Sequence, residues 1–455
     1  MRVRGQYRTI MRRLAASLAV TALVAGCTVV SDQPTFRRYG PLITLRVGLF
    51  GDPGYRQAGL YAEFERLHPS IKIVAAGSGS QAGYWSALRS HLASGRGLAD
   101  VQAIPVTDIS AVTGPLAADF VPLNTLAGPS GGTTLSAAYL PWVTQLATAR
   151  SGALYALGAE IGPIGMCYRT SLLAEAGLPT SPAALARAWS TWPRYQASGR
   201  LFATRIQHGP AFTDSAASLF NTMTAQAPEQ YYRSDGTLAL ATNPALRAAW
   251  DTAAQAARDG LTAGLVPGSA AWDRGVTRAS FATVTCPAWM LSQISRLSGP
   301  LGSGQWGVTA APGQAGNAGG FYLALPRAGS HQAAAFQLAS FLTGEQAGVA
   351  VFRSQGDFPA NFAAANAVGS AGSASSADSA GSAGGDTTGP FGSATAGQVF
   401  GQAADRTPAA PLGPASDAIG SALDGVLTRV TQGRLTAAQG WGLAVRQATA
   451  AATHH

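Results

Sequence analysis

The sequence predicts an α/β protein of two lobes, the first of them built on a parallel, doubly wound sheet. Three observations carry this. At 455 residues the chain is longer than one hydrophobic core usually organises. A hydrophobic content of 47% against 12% charged residues supplies apolar side chains for more than one core. Between Ile43 and Ile104, apolar strands alternate with amphipathic helices, the order that a parallel sheet with crossover helices requires.

The elements follow from local pattern. Ile43 to Phe50 reads as a buried strand stopped by Gly51-Asp52-Pro53-Gly54. Leu60, Phe64 and Leu67 share one helical face, and His68-Pro69 ends that helix. Ile71 to Val74 is the next strand. Tyr84, Leu88 and Leu92 mark a second helix, stopped near Gly95 and Gly97, and Asp100 to Ile104 forms a third strand. In such sheets ligands sit beyond the carboxyl ends of the strands. Gly51-Asp52 and Pro105 to Asp108 occupy those ends, so both are candidate ligand loops. The middle of the chain, 160–318, is richer in helix; Thr283 to Trp289 reads as a strand running into a turn and then a helix, and Trp306 to Pro312 as a further strand. After Gly319-Gly320, Phe321 to Pro326 reads as a strand, followed by an apolar helix through Phe336 and Phe341. Residues 363–396 are almost all Gly, Ala and Ser without periodicity, the mark of a flexible insertion. The tail predicts two helices, with Leu423, Val426, Leu427 and Val430 on one face.

Ahead of this fold lies a leader. Arg12 and Arg13, an apolar run from Leu14 to Val24 and the small pair Ala25-Gly26 before Cys27 form a secretory signal. The run is shorter than the roughly 20 residues that span a bilayer. The Leu23-Val24-Ala25-Gly26-Cys27 ending resembles a bacterial lipobox, which implies acylation of Cys27, cleavage after residue 26, and residues 27–40 as a linker. Two or more acyl chains hold a protein stably on a membrane. The protein is therefore expected on the outer face of the bacterial cytoplasmic membrane. Loss of the leader removes five arginines and no acid, so the net charge falls from +9 to +4. That balance, scattered along the chain, gives no nucleic-acid surface. Lys72 is the only lysine and is followed by Ile73, which excludes a phosphate-binding P-loop. With Cys27 lipidated, Cys167 and Cys286 remain as an even pair in an oxidising compartment. They form either a disulfide or two buried thiols. Neither their spacing nor the scattered histidines make a metal site, and no cofactor is implied.

Several segments together resemble the family-1 extracellular solute-binding proteins, the receptors of sugar-importing ABC systems and similar to maltodextrin-binding proteins. Leu154-Tyr-Ala-Leu-Gly158, Cys167-Tyr-Arg-Thr-Ser-Leu-Leu173 and Glu175-Ala-Gly-Leu-Pro179 follow one another in the family's order. Gly51-Asp52, Cys286-Pro-Ala-Trp289, Trp306-Gly-Val with Pro312, and Gly319-Gly320 also match. The resemblance covers Leu42 to Ala363; the Gly-Ala-Ser segment departs from it, and the cysteine pair fits only a subset of the family. It implies a two-lobed, type II periplasmic-binding-protein-like α/β fold, doubly wound sheets joined by hinge crossings near Gly158–Pro163, Ala318–Tyr322 and Gly356–Phe362. Lobe 1 is then 41–160 and 322–358, and lobe 2 is 161–321 and 359–455.

The resemblance further implies a monomer that closes on a sugar or polyol and delivers it to the permease subunits. A sugar needs aimed polar groups on apolar, aromatic walls. The expected carboxylates are Asp52, Asp108, Glu160 and Asp357, since each accepts several charge-assisted bonds. Asp52 could instead build its turn, and Asp108 could cap a helix. The expected aromatics are Trp289, Phe321 or Tyr322, and Phe212. For Trp289 the competing role is core packing, the role assigned to Tyr84 and Trp85. A surface-anchored glycosidase using two carboxylates is the alternative, but the chain holds no His-Glu-x-x-His pair. A surface lipoprotein with an empty cleft is the third reading.

Overall fold

The computed structural model describes residues 42–128, 131–299, 305–370, 391 and 393–453; the leader, Cys27 and the linker lie outside them. Among these, nine strands form: β1 (Ile43–Phe50), β2 (Ile71–Ser78), β3 (Val101–Pro105), β4 (Ala156–Arg169), β5 (Ala211–Thr213), β6 (Phe281–Pro287), β7 (Trp306–Ala310), β8 (Asn317–Ala324) and β9 (Phe358–Pro359). β1, β2 and β3 pair in parallel as expected, with Ile43 opposite Ile71 and Val47 opposite Val101. β8 then joins β3 antiparallel, and β4 joins β8.

β4 is the axis of the molecule. Its first half pairs with β8 and β9, and its second half, from Ile164, pairs with β6 on one side and β7 on the other. β5 extends the second sheet in parallel to β6. The three expected crossings therefore lie side by side as one short ribbon of β4, β8 and β9. The backbones there approach so closely that a Cβ on Gly162 would sit 2.1 Å from the Ala318 carbonyl oxygen. Gly320, at φ 100°, would place one 2.3 Å from the Glu160 carbonyl oxygen. Only glycine fits either position. Register shifts at Gly158/Glu160 and Ile161/Pro163 bend the ribbon at the same place.

Alternation along β4 divides the apolar residues between two cores. Cys167 joins a core that includes Leu45, Val47, Ile104, Leu157, Leu323 and Leu338 and continues past the ribbon to Trp272, Val284 and Trp306. Met166 and Tyr168, on the opposite face, join a second core with Trp189, Tyr195, Phe202, Phe220 and Trp250. Leu423, Val426, Leu427 and Val430 of the helix Ser416–Thr431 complete that second core, as their spacing predicts. The helix Ala437–Thr453 follows, and the Trp250 indole N–H donates to the Ala437 carbonyl at 3.0 Å.

Several boundaries differ from expectation for identifiable reasons. β2 runs on through Ala75-Ala76-Gly77, which carry no strand signal but pair with Val47 to Leu49. Leu67 is half exposed, and Tyr61 takes its place in the core beside Leu60 and Phe64. β8 begins at Asn317, so Gly319 and Gly320 lie inside the strand. The Gly-Ala-Ser segment is ordered at both ends: Phe362–Ser370 and Ser393–Arg406 are helices, while 371–390 lie outside the described residues. Small residues are what lets these helices touch, since a Cβ on Gly397 would stand 2.3 Å from the Val368 carbonyl oxygen. Their apolar side chains Val368, Ala396 and Phe400 join the first core, where helical period was hidden by near-uniform small residues.

The cysteines are bonded, joining β4 to β6 within the core with Cα atoms 5.7 Å apart and 119 residues of separation. Closing a loop of that length restricts the unfolded chain by roughly 4–5 kcal/mol in the entropic account. Replacing both cysteines by alanine is expected to lower unfolding free energy by about 2–5 kcal/mol in denaturant titration without reductant. A double variant as stable as the parent would show that the cross-link constrains nothing.

Candidate functional site

Between the two cores lies a cavity of about 380 Å³. From the first sheet's side come Val106 and Thr107, just past the end of β3, and Trp142 of the helix Pro141–Ala147. The ribbon contributes Asn317, Ala318 and Gly319, and Trp289 stands directly before the helix Met290–Ser298. The far wall is made by the helices Ala216–Ala225 and Ser416–Thr431, which present Asn221, Thr224, Asp417, Gly420, Ser421 and Asp424. Gln230 and Tyr231 close it.

Trp289 is half-buried, and its indole N–H donates to the Ala318 carbonyl at 2.9 Å. That bond fixes the ring against the ribbon. It is possible because Gly319 lacks a Cβ, which would meet the indole nitrogen at 3.0 Å. Trp142 is more deeply set, its indole N–H donating to the Ala404 carbonyl at 3.0 Å. On the opposite helix Asp417 and Asp424 are seven residues apart and so share a face, away from the buried Leu423 and Val426. Asp424 accepts from Asn221 Nδ2 at 2.9 Å, and burial pushes its carboxyl up to about 6. Burial, with the Asp424 and Asp417 charges, keeps the Tyr231 hydroxyl protonated well above its ordinary range.

A second chamber adjoins the first, sharing Asp417 and Ser421 and lined also by Gln81, Trp85, Arg89 and Asp108. Asp108 makes no helix-capping bond; its carboxylate accepts from the Thr107 hydroxyl at 3.2 Å and is pushed up to about 7 by burial and then by Asp417. Gln81 links the two sides, donating through Nε2 to Thr107 Oγ1 at 3.3 Å and to Asp417 Oδ2 at 3.2 Å.

Of the residues expected from sequence, the structure places Trp289 in the cavity and Asp108 in the adjoining chamber. The others lie elsewhere. Asp52 is exposed and closes its own turn, accepting from the Gly54 N–H at 3.1 Å and from Gln57 Nε2. Phe212 is 1% exposed, its ring 4.8 Å from Tyr195 and 5.5 Å from Phe202 in the second core. Phe321 packs edge-on to Phe50 at 5.8 Å, and the Tyr322 hydroxyl donates to the Val143 carbonyl at 3.2 Å, so neither ring reaches the cavity. The expected packing of Tyr84 corresponds to a buried hydroxyl donating to Gly48 and Gln102, whereas Trp85 lines the second chamber.

Glu160 and Asp357 do meet, but behind the ribbon, in a chamber of about 10 Å³ shared with Tyr55 and Phe321. Burial and then the Asp357 charge raise Glu160 well above the carboxylate range; burial and then Asp52 push Asp357 up to about 7. Among the described residues lining that chamber there is no base. A carboxyl raised in the folded state holds its proton more tightly there, so its contribution favours the fold at low pH. That contribution is lost as pH rises from the unfolded value near 4 through about 7. Asp357→Asn is therefore expected to flatten the fall in melting temperature between about pH 5 and 8 and to raise it at pH 8. Equal destabilisation at every pH would contradict this.

The residues that sequence reasoning missed are Asn221, Thr224, Tyr231, Asp417 and Asp424. A signal existed for two of them: acids seven apart on the polar side of an amphipathic helix.

Comparison with known proteins bears on what this arrangement does. A family model described as bacterial extracellular solute-binding protein matches residues 50–349. A crystal structure of an extracellular solute-binding protein of family 1 is similar to the chain at 31% identity and TM-score 0.77, covering 90% of this chain and all of the other. The sugar-binding protein MalE from Xanthomonas citri shares the fold at 19% identity and TM-score 0.70, covering 90% and 98%. A lactose-binding protein of Rhizobium radiobacter is 28% identical over 163 residues, 35% of this chain and 37% of that protein's length.

Proposed function

The chain belongs to the bacterial extracellular solute-binding protein family, and on that premise we propose that it captures a carbohydrate or polyol in the cavity beside Trp289. The loaded protein then docks on the membrane subunits of an ABC importer, held near them by lipid at Cys27. The observation that carries this reading is one cavity holding both kinds of surface that a sugar requires. The half-buried Trp289 offers an aromatic face to C–H groups, and Asp417, Asp424, Asn221 and Thr107 offer partners to hydroxyls. The carbohydrate-binding relatives and neighbours support it.

The cavity wall suits holding rather than hydrolysis. Asp417 and Asp424 project from one face of one helix, about 10 Å apart along its axis at 1.5 Å per residue. A glycosidase instead needs carboxyls flanking the scissile bond. Solute contacts with both sides of the cavity favour the closed arrangement, since only there are all made together. The ribbon of β4, β8 and β9 is the place for the hinge, with Gly319 and Gly320 already at positive φ.

The test is a thermal-shift screen of the form lacking residues 1–27 against mono-, di- and oligosaccharides and polyols. A ligand at a hundred times its Kd adds about 2.7 kcal/mol of stability, which gives a readable rise in melting temperature. Trp289→Ala is expected to weaken binding of the best ligand at least tenfold by calorimetry, and Trp289→Phe much less. Absence of any stabilising carbohydrate, or full affinity in Trp289→Ala, would overturn the reading.

A further inference from the structure

Among the described residues, the far wall of the cavity holds polar atoms without a hydrogen-bond partner. Asp424 Oδ2 accepts from Asn221 Nδ2 at 2.9 Å, but Asp424 Oδ1 is buried without a donor. Three residues along from Asn221, on the same helical face, Thr224 is 3% exposed and its hydroxyl also has no partner. Both residues belong to the cavity wall, as does the exposed carboxylate of Asp417. A buried acceptor left unmatched costs roughly 1–3 kcal/mol, and more when charged, so such groups ask for an explanation.

Charge sharpens the point. Asp424, pushed up to about 6, is mostly ionised at pH 7.5. Among the described residues lining this cavity none is lysine, arginine or histidine. An ionised carboxylate withdrawn from water without a countercharge is unfavourable, and a ligand that brings the charge removes the penalty on binding. A hydroxyl brings one donor and no charge; an ammonium brings three donors and a full charge. The rings of Tyr231 and Trp289, which line the same cavity, favour a nearby cation further. Anionic solutes meet carboxylates and no countercharge among the described residues lining this cavity.

We propose that Asp424 and Thr224, with Asp417, form a subsite for a protonated amino group, so that the preferred solute is an amine-bearing sugar. This rests on the carbohydrate reading above and narrows it.

The test uses mono- and disaccharides of glucose and galactose type, each supplied as the free amine, the N-acetyl form and the parent hydroxyl form, titrated calorimetrically at pH 7.5. The amine form is expected to bind at least tenfold more tightly than its hydroxyl counterpart. Asp424→Asn is expected to bring that ratio to about one, and Thr224→Val to lower it severalfold. Melting of the unliganded variants checks that they fold; if Asp424→Asn does not, Asp417→Asn and Thr224→Val carry the comparison. Hydroxyl or N-acetyl forms binding as tightly as amines overturns the subsite while leaving carbohydrate capture standing. So does a ratio unchanged in the folded variants. If no sugar in any form binds, the carbohydrate reading falls and takes the subsite with it.

Discussion

The close approach of backbones at the ribbon is the constraint from which the rest of the structure follows. Gly162 lies against the Ala318 carbonyl and Gly320 against Glu160, at separations no side chain allows. Because β4 passes through that contact without interruption, a single strand sets the position of both sheets. Its residues on the near side pair with β8, and those beyond pair with β6 and β7. The same absence of side chains brings the Trp289 ring against the ribbon, with its N–H on Ala318. The proposed hinge and the proposed binding wall are thus two consequences of one packing arrangement. Further along β4, the Cys167–Cys286 bond holds the second sheet's register where the strand leaves the ribbon.

Two groups of acids sit on either side of this ribbon in different physical states. Glu160 and Asp357 face each other where the described lining residues supply no base, and mutual repulsion adds to desolvation. Both hold their protons more tightly than ordinary carboxyls, and their cost falls on stability rather than on binding. Asp417 is exposed at the cavity, and Asp424 has an amide donor for one oxygen. Residue type alone does not separate these cases. Four carboxylates expected to reach a solute divide into a turn builder, a buried pair and one chamber acid, because burial and neighbours decide what a carboxylate does.

Strands and helices with strong period were legible before the fold was known: β1 from Ile43 to Phe50, and the apolar stripe of the helix Ser416–Thr431. The crossings were legible through the resemblance, since glycines at Gly158, Gly319, Gly320 and Gly356 mark where the backbone bends or crowds. What the sequence hid was hidden by physics. The helices at Phe362–Ser370 and Ser393–Arg406 carry too little contrast between small residues for period to show, and they are held by contacts with each other and with Trp142. Phe212 and Phe321 look no different from cavity aromatics in sequence, because only the tertiary direction of a strand says which ring is enclosed. The far wall of the cavity joins residues about two hundred positions apart, Asn221 and Asp424, and no local pattern predicts such a meeting.

The closure and capture proposed above converge on Asp417. Its carboxylate takes a hydrogen bond from Gln81 on the other side of the cavity, at 3.2 Å and in an exposed setting. A bond of that kind contributes on the order of 1 kcal/mol. Moving a two-state equilibrium from mostly open to mostly closed needs about 5.5 kcal/mol of differential binding. For the closing motion proposed above, Gln81 and Asp417 therefore bias the geometry without being able to hold it, and the difference has to come from the solute. A receptor that closes as proposed above stays responsive, because its closed population then depends on the solute.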